Sequence, residues 1–120
     1  MAQGDFTHVE FPAEDVERAK RFYRELFGWT FREFEGMPGY FLFNGGPGNA
    51  SGAIGKRGAA GPQDVLVYMT VDSIDASLLR AQELGATIVT PSTQVPDSGW
   101  FAVIDDGEGN RVGFWQDPPA

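Results

Sequence analysis

His8 is the only histidine in this chain of 120 residues, and Glu10 follows it two positions later. In an extended strand, residues two apart point to the same face, so an imidazole and a carboxylate would share one side. That pairing suits general acid–base chemistry, such as taking a proton from an enolisable carbon or assisting an addition. The plainer reading of a lone histidine on a half-apolar face is a hydrogen-bonded structural side chain. Glu10 is equally read as a solvated residue or an ion-pair partner of Arg111. The chain contains no cysteine, which removes thiolate nucleophiles and a disulfide framework.

Two glycine-rich stretches look like nucleotide loops and are not. Gly52-Ala53-Ile54-Gly55-Lys56 lacks the glycine and the hydroxyl residue that a phosphate loop needs, since Ala50 and Arg57 stand in those places. Gly45-Gly46-Pro47-Gly48 is followed by no helix whose N-terminus could hold an anion. Both are read as turns.

The elements that must position His8 and Glu10 are legible from periodicity. Phe6 to Phe11 alternates and is rich in strand formers, ending at Pro12. Glu14 and Asp15 suit a helix start, Val16, Ala19, Phe22, Tyr23, Leu26 and Phe27 fall at helical spacing, and Gly28 closes the helix. Phe22, Tyr23, Phe27 and the later Phe114 are expected in the core. Arg18, Lys20, Arg21 and Arg24 share the helix with acidic residues as a solvated face. Strands are expected over 29–34, 40–43 and 50–54.

After the small, polar stretch 55–63 the pattern restarts. A strand over 64–71 leads to a helix capped by Asp72, with Ile74, Leu78, Ala81 and Leu84 as its apolar stripe and Gly85 as its stop. Strands over 86–89, 99–104 and 111–116 follow. Gly48-Asn49-x-x-Gly52 recurs as Gly109-Asn110-x-x-Gly113 at an offset of 61, and His8 falls on Leu66 at an offset of 58. The chain therefore reads as one β-α-β-β-β unit written twice: module one over 5–54, a linker over 55–63 and module two over 64–116.

The formal net charge of −8 argues against nucleic acid or an anionic membrane as the main partner. The chain starts without a basic segment followed by an apolar core, and no run approaches membrane-spanning length. The expected location is therefore cytoplasmic, and the sequon Asn49-Ala50-Ser51 carries no weight.

With its repeat, with His8 in the first strand, with Asp15-Val16-Glu17-Arg18-Ala19 leading to Phe22-Tyr23 and Leu26-Phe27-Gly28-Trp29, and with Asp105 to Gln116 as closing strand, the chain resembles the vicinal oxygen chelate superfamily. That superfamily includes glyoxalase I, bleomycin-resistance proteins and extradiol dioxygenases. The ending Glu108-Gly109-Asn110-Arg111-Val112-Gly113-Phe114-Trp115-Gln116 is similar to that of its short glyoxalase-like members. The resemblance covers nearly the whole chain and implies an α+β fold: two tandem βαβββ modules forming a cup-shaped mixed sheet with helices outside, as a single domain over 1–120. In metal-dependent members two ligands come from each module, at positions that here are His8, Gly52, Leu66 and Gly113. Only His8 has a donor side chain, so the expectation is no metal and no cofactor.

Taking His8 as cavity-facing, as the resemblance implies, alternation assigns the remaining lining. Phe6 and Glu10 share its face. Leu66 and Tyr68, then Gly52 and Ile54, then Arg111, Gly113 and Trp115 point inward. Tyr68 becomes a candidate proton donor beside His8 and Glu10. Trp100 and Trp115 offer flat apolar surface for a ligand, although Trp115 equally fits the core or a subunit contact.

Three functions stay open. The first is a metal-free protein that binds or sequesters a small apolar or aromatic molecule in the cavity between its modules, with an acidic rim suited to a cation. The second is a glyoxalase-type lyase or isomerase using His8 with Glu10 or Tyr68 as acid and base. The third is a non-catalytic interaction module whose cup is filled by its own side chains. The residues lean away from an enzyme. The resemblance also allows a homodimer, since family members commonly pair modules between chains.

Overall fold

The computed structural model of the chain describes residues 2–44 and 51–119. The element order is β1 (Phe6–Ala13), α1 (Val16–Phe27), β2 (Arg32–Glu33), β3 (Phe41–Phe43), β4 (Ser51–Lys56), β5 (Leu66–Thr70), α2 (Ile74–Glu83), β6 (Thr87–Val95), β7 (Gly99–Asp105) and β8 (Arg111–Gln116). This is an α+β chain in which β-α-β-β-β occurs twice. Two compact units result, His8–Leu66 and residues 1–7 with 67–120.

In the His8–Leu66 unit the strands lie in the order β2-β3-β4-β1. β1 and β4 are parallel, with His8 opposite Ser51, Val9 opposite Gly52 and Phe11 opposite Ile54. β3 runs antiparallel to β4 and sets Phe43 opposite Gly52. Helix α1 starts where the Asp15 carboxylate accepts from Arg18 N at 3.0 Å. It stops where Gly28 takes a left-handed φ of 74° and donates to Arg24 O. That pair of caps is what the sequence predicts.

Between helix and sheet lies an aromatic layer. Phe43 stacks on Trp29 at 4.4 Å between ring centroids and on Phe11 at 5.9 Å, and Tyr23 stacks on Phe11 and Trp29 at 5.7 and 5.1 Å. A Cβ at Gly52 would overlap the Phe43 ring, so the glycine is the vacancy that this ring fills. Phe22 and Phe27 are 57% and 60% exposed and lie outside the core expected for them. Conversely Lys20, expected in the solvated face, is buried. Its ammonium sits 3.6 Å from the centroid of the Phe41 ring and 3.0 Å from Glu17 Oε2, where the ring's negative face and a carboxylate offset its desolvation.

The second unit has the order β5-β8-β7-β6. β5 and β8 are parallel, with Tyr68 opposite Gly113 and Thr70 opposite Trp115. Its helix-side core is Val71, Ile74, Leu78, Ala102 and Ile104, joined by Trp100, Val112 and Phe114. Helix α2 is capped by Ser73, which accepts from Ala76 N at 3.2 Å, one residue later than the Asp72 cap the sequence suggests. The N-terminal residues dock on this unit: Gly4 N donates to Thr70 O and Thr70 N to Asp5 O, both at 2.8 Å. The backbone N–H of Asp72 donates to Gln3 Oε1 at 2.6 Å.

The strands match the sequence expectation unevenly. β2 is two residues long where 29–34 was expected, because Trp29 and Phe31 turn into the aromatic layer. β6 runs nine residues, straight through Pro91. Register shifts between Ile88 and Thr93 absorb the missing donor, the usual way an outer strand tolerates proline. β4 continues to Lys56. The echo residues Gly48 to Ala50 and the turn at 45–48 lie outside the described residues.

Candidate functional site

The His8–Leu66 unit gathers four polar side chains from three places in the sequence. β1 supplies His8 and Glu10, and the parallel neighbour β4 supplies Ser51 directly opposite His8. Tyr40 comes from the head of β3, set by a tight turn. Phe34 N donates to Tyr40 O at 2.8 Å, Tyr40 N to Met37 O at 3.2 Å, and Gly39 N to Glu33 Oε2 at 2.9 Å. Gly39 takes φ 81°, which a side chain would resist.

The groups form a chain of short hydrogen bonds. Ser51 Oγ lies 2.8 Å from His8 Nδ1, His8 Nε2 lies 2.7 Å from Tyr40 Oη, and Tyr40 Oη lies 2.5 Å from Glu10 Oε2. Their direction follows from valence. The Glu10 carboxylate only accepts, so Tyr40 spends its one proton there and must accept from His8. His8 then carries its proton on Nε2 and has its lone pair on Nδ1, where the Ser51 hydroxyl donates. Burial lowers the imidazolium pKa from 6.5 to about 4, so His8 is neutral at pH 7. Every proton in the relay therefore points from Ser51 toward Glu10.

Of the residues that sequence reasoning selected, this unit joins His8 and Glu10, and it does so through Tyr40. Gly52 and Ile54 are corrections. They pair with Val9 and Phe11, and Gly52 meets Phe43, so both face the helix-side aromatic layer rather than the face of His8. The inward residue of β4 is Ser51. In the other unit Tyr68 and Gly113 do share a face opposite α2, but Gly113 opens no space, because the Tyr68 ring covers it. Trp115 lies over Gly99 and donates from Nε1 to Asp117 Oδ1 at 2.8 Å. Trp100 packs on the α2 core and is not a lining candidate. Arg111 is exposed opposite Asp105, Leu66 is buried, and Phe6 is 75% exposed.

Tyr40 and Ser51 were missed. Tyr40 lies 32 residues from His8 in sequence and read as one more strand aromatic. The available signal was its hydroxyl: a buried tyrosine needs a partner. Ser51 was hidden by the glycine echo, which matched sequence but crossed faces.

The positions where the resemblance places metal ligands do not fit a divalent ion. Gly52, Leu66 and Gly113 have no donor atom, and Ser51 adds only a neutral hydroxyl. Both His8 nitrogens are engaged in the relay. Among the described residues, no three His, Cys, Asp or Glu side chains converge.

Comparison with known proteins agrees with the fold. Residues 5–46 match the family model described as bleomycin resistance protein-like N-terminal. The chain is 29% identical over 120 residues to a Mycobacterium bovis protein named as a glyoxylase, CFP32, covering 95% of this chain and 46% of that one. It thus spans about half the length of the curated relatives it first matches. It is 28% identical to a glyoxylase-like domain-containing protein of Didymella fabae, covering 92% of this chain and 91% of the relative. The crystal structure of methylmalonyl-CoA epimerase from Mycobacterium tuberculosis superposes with a TM-score of 0.69 at 15% identity, over 99% of this chain and 93% of that chain. No described helix is long and apolar enough to cross a membrane. The doubled βαβββ pattern, the bleomycin-resistance-like match over residues 5–46 and the similarity to glyoxylase-named relatives together support the vicinal oxygen chelate superfamily for this chain.

Proposed function

We propose that the protein binds a small, largely apolar or aromatic molecule without a metal, and that His8, Tyr40 and Glu10 receive the polar end of that molecule. The observation that carries this reading is the fixed order of the relay. A neutral imidazole, a phenol and a carboxylate are held at 2.7 and 2.5 Å on otherwise apolar strands, so little ordering remains to be done when a ligand arrives. The net charge of −8 favours a cationic or hydrogen-bond-donating ligand. A cytoplasmic location and a homodimer belong to the wider proposal. Native mass spectrometry of the protein recovered from cell extract tests it. A co-purifying small molecule that Tyr40→Phe and His8→Ala release supports binding. A molecule retained equally by both variants, or none at all, refutes this assignment.

The second reading is a lyase or isomerase in which His8 with Glu10 moves a proton. The structural likeness to an epimerase favours it at the level of fold. Against it, an imidazole whose conjugate acid has a pKa of about 4 is a weak base for a carbon acid. Turnover of 2-oxoaldehydes or enolisable ketones that His8→Ala abolishes would establish this reading in place of pure binding.

A further inference from the structure

We infer that Ser51 is a nucleophile, and that the chain Ser51–His8–Tyr40–Glu10 transfers activated acyl groups to it. This goes beyond ligand binding, which needs the three inner residues and not Ser51. Three features carry the inference. Ser51 is exposed at the first position of β4, so its hydroxyl is accessible to a reagent. Its Oγ lies 2.8 Å from a histidine nitrogen whose lone pair must face it, by the proton accounting above. The opposite nitrogen is anchored at 2.7 Å to a phenol that is itself held at 2.5 Å by a carboxylate. This is the logic of an activated hydroxyl: nucleophile, base, and a group that orients the base. Here Tyr40 stands between the base and the acid.

The step balances without a co-reactant other than water. Ser51 Oγ bonds to the carbonyl carbon of an aryl ester while its proton passes to His8 Nδ1. The C–O bond to the aryl group breaks, its electron pair leaves on the aryloxide, and the proton on His8 follows. Water then attacks the acyl carbon and gives a proton to His8. Expulsion of Ser51 Oγ frees the carboxylic acid, and the serine regains its proton from His8. In each half His8 keeps its Nε2–H bond to Tyr40, itself held by Glu10, so the ring stays oriented while Nδ1 carries the proton. A buried, weakly basic histidine assists modestly, so the substrate class is esters and phosphonyl fluorides with good leaving groups, and not amides.

A fluorophosphonate probe tests this on the intact chain, read by intact mass and peptide mapping, with 4-nitrophenyl acetate hydrolysis in parallel. The expected result is one adduct per chain at Ser51, absent from Ser51→Ala. Labelling should be at least ten-fold slower in His8→Gln, with circular dichroism showing both variants folded. Because His8 stays neutral, labelling should also persist at pH 5. An adduct elsewhere, no adduct, equal labelling of Ser51→Ala, or a rate indifferent to a folded His8→Gln overturns the inference. Should His8→Gln fail to fold, Tyr40→Phe takes its place with the same criterion of at least ten-fold slower labelling.

Discussion

Acidification should destabilise this protein through His8 before its carboxylates protonate. In the folded state burial holds the imidazolium pKa near 4, whereas the unfolded chain offers the ordinary value of 6.5. A group whose folded pKa is depressed contributes stability above its unfolded pKa, and that stability is lost as pH falls toward the folded pKa. The window is therefore pH 6.5 down to 4. A separation of this size, at 1.36 kcal/mol per unit, costs about 2 kcal/mol between pH 7.5 and 5 and approaches about 3 kcal/mol by pH 4. Urea unfolding followed by tryptophan fluorescence reads it, and with m near 1–3 kcal/mol/M the midpoint should move by roughly 1 M. His8→Gln removes the titrating group while keeping an amide to hydrogen-bond. That variant should start less stable at pH 7.5 and lose about 2 kcal/mol less on going to pH 5. Parallel pH dependences in the two proteins would refute the neutral, buried assignment of His8, and with it the proton direction of the relay.

Three further outcomes follow from packing and capping. Gly113→Ala drives a Cβ into the Tyr68 ring and should cost about 1–3 kcal/mol, as overpacking does, visible as a lower thermal midpoint. An unchanged midpoint would mean that the ring is free to move. Tyr40→Phe removes the hydroxyl joining His8 to Glu10 and should cost about 1–3 kcal/mol in urea unfolding, because two polar groups lose a partner that apolar surface cannot replace. Asp15→Ala removes the cap of α1 at about 1 kcal/mol, whereas Asp72→Ala, next to the true cap Ser73, should cost α2 far less.

Much of the fold was written locally. Helix α1 is announced by its cap, its stripe and Gly28, and the β-α-β-β-β order by alternation and turns, because each depends on residues a few positions apart. The extent of β6 was not legible, since Pro91 signals a break and only the register shifts of its pairing with β7 rescue the strand. Core membership was legible where both faces of an element are committed, as for Ile74 and Leu78. It failed for Phe22 and Phe27, whose helical spacing is right but whose face the sheet does not cover.

For the site, the sequence by itself determined His8, its neighbour Glu10, and the lack of metal donors at the glycine and leucine positions, since these are matters of residue type and strand interval. Only the tertiary structure decided which residue of β4 faces His8. The parallel register selects Ser51, and a shift of one residue exchanges the two faces of a strand completely. It also decided that Tyr40 closes the relay, because hydrogen bonds across strands have no sequence interval. Gly52 and Gly113, matched in sequence, proved to be unlike in space: each is small because an aromatic ring of its own unit lies on it, one on the helix side of its sheet and one on the other.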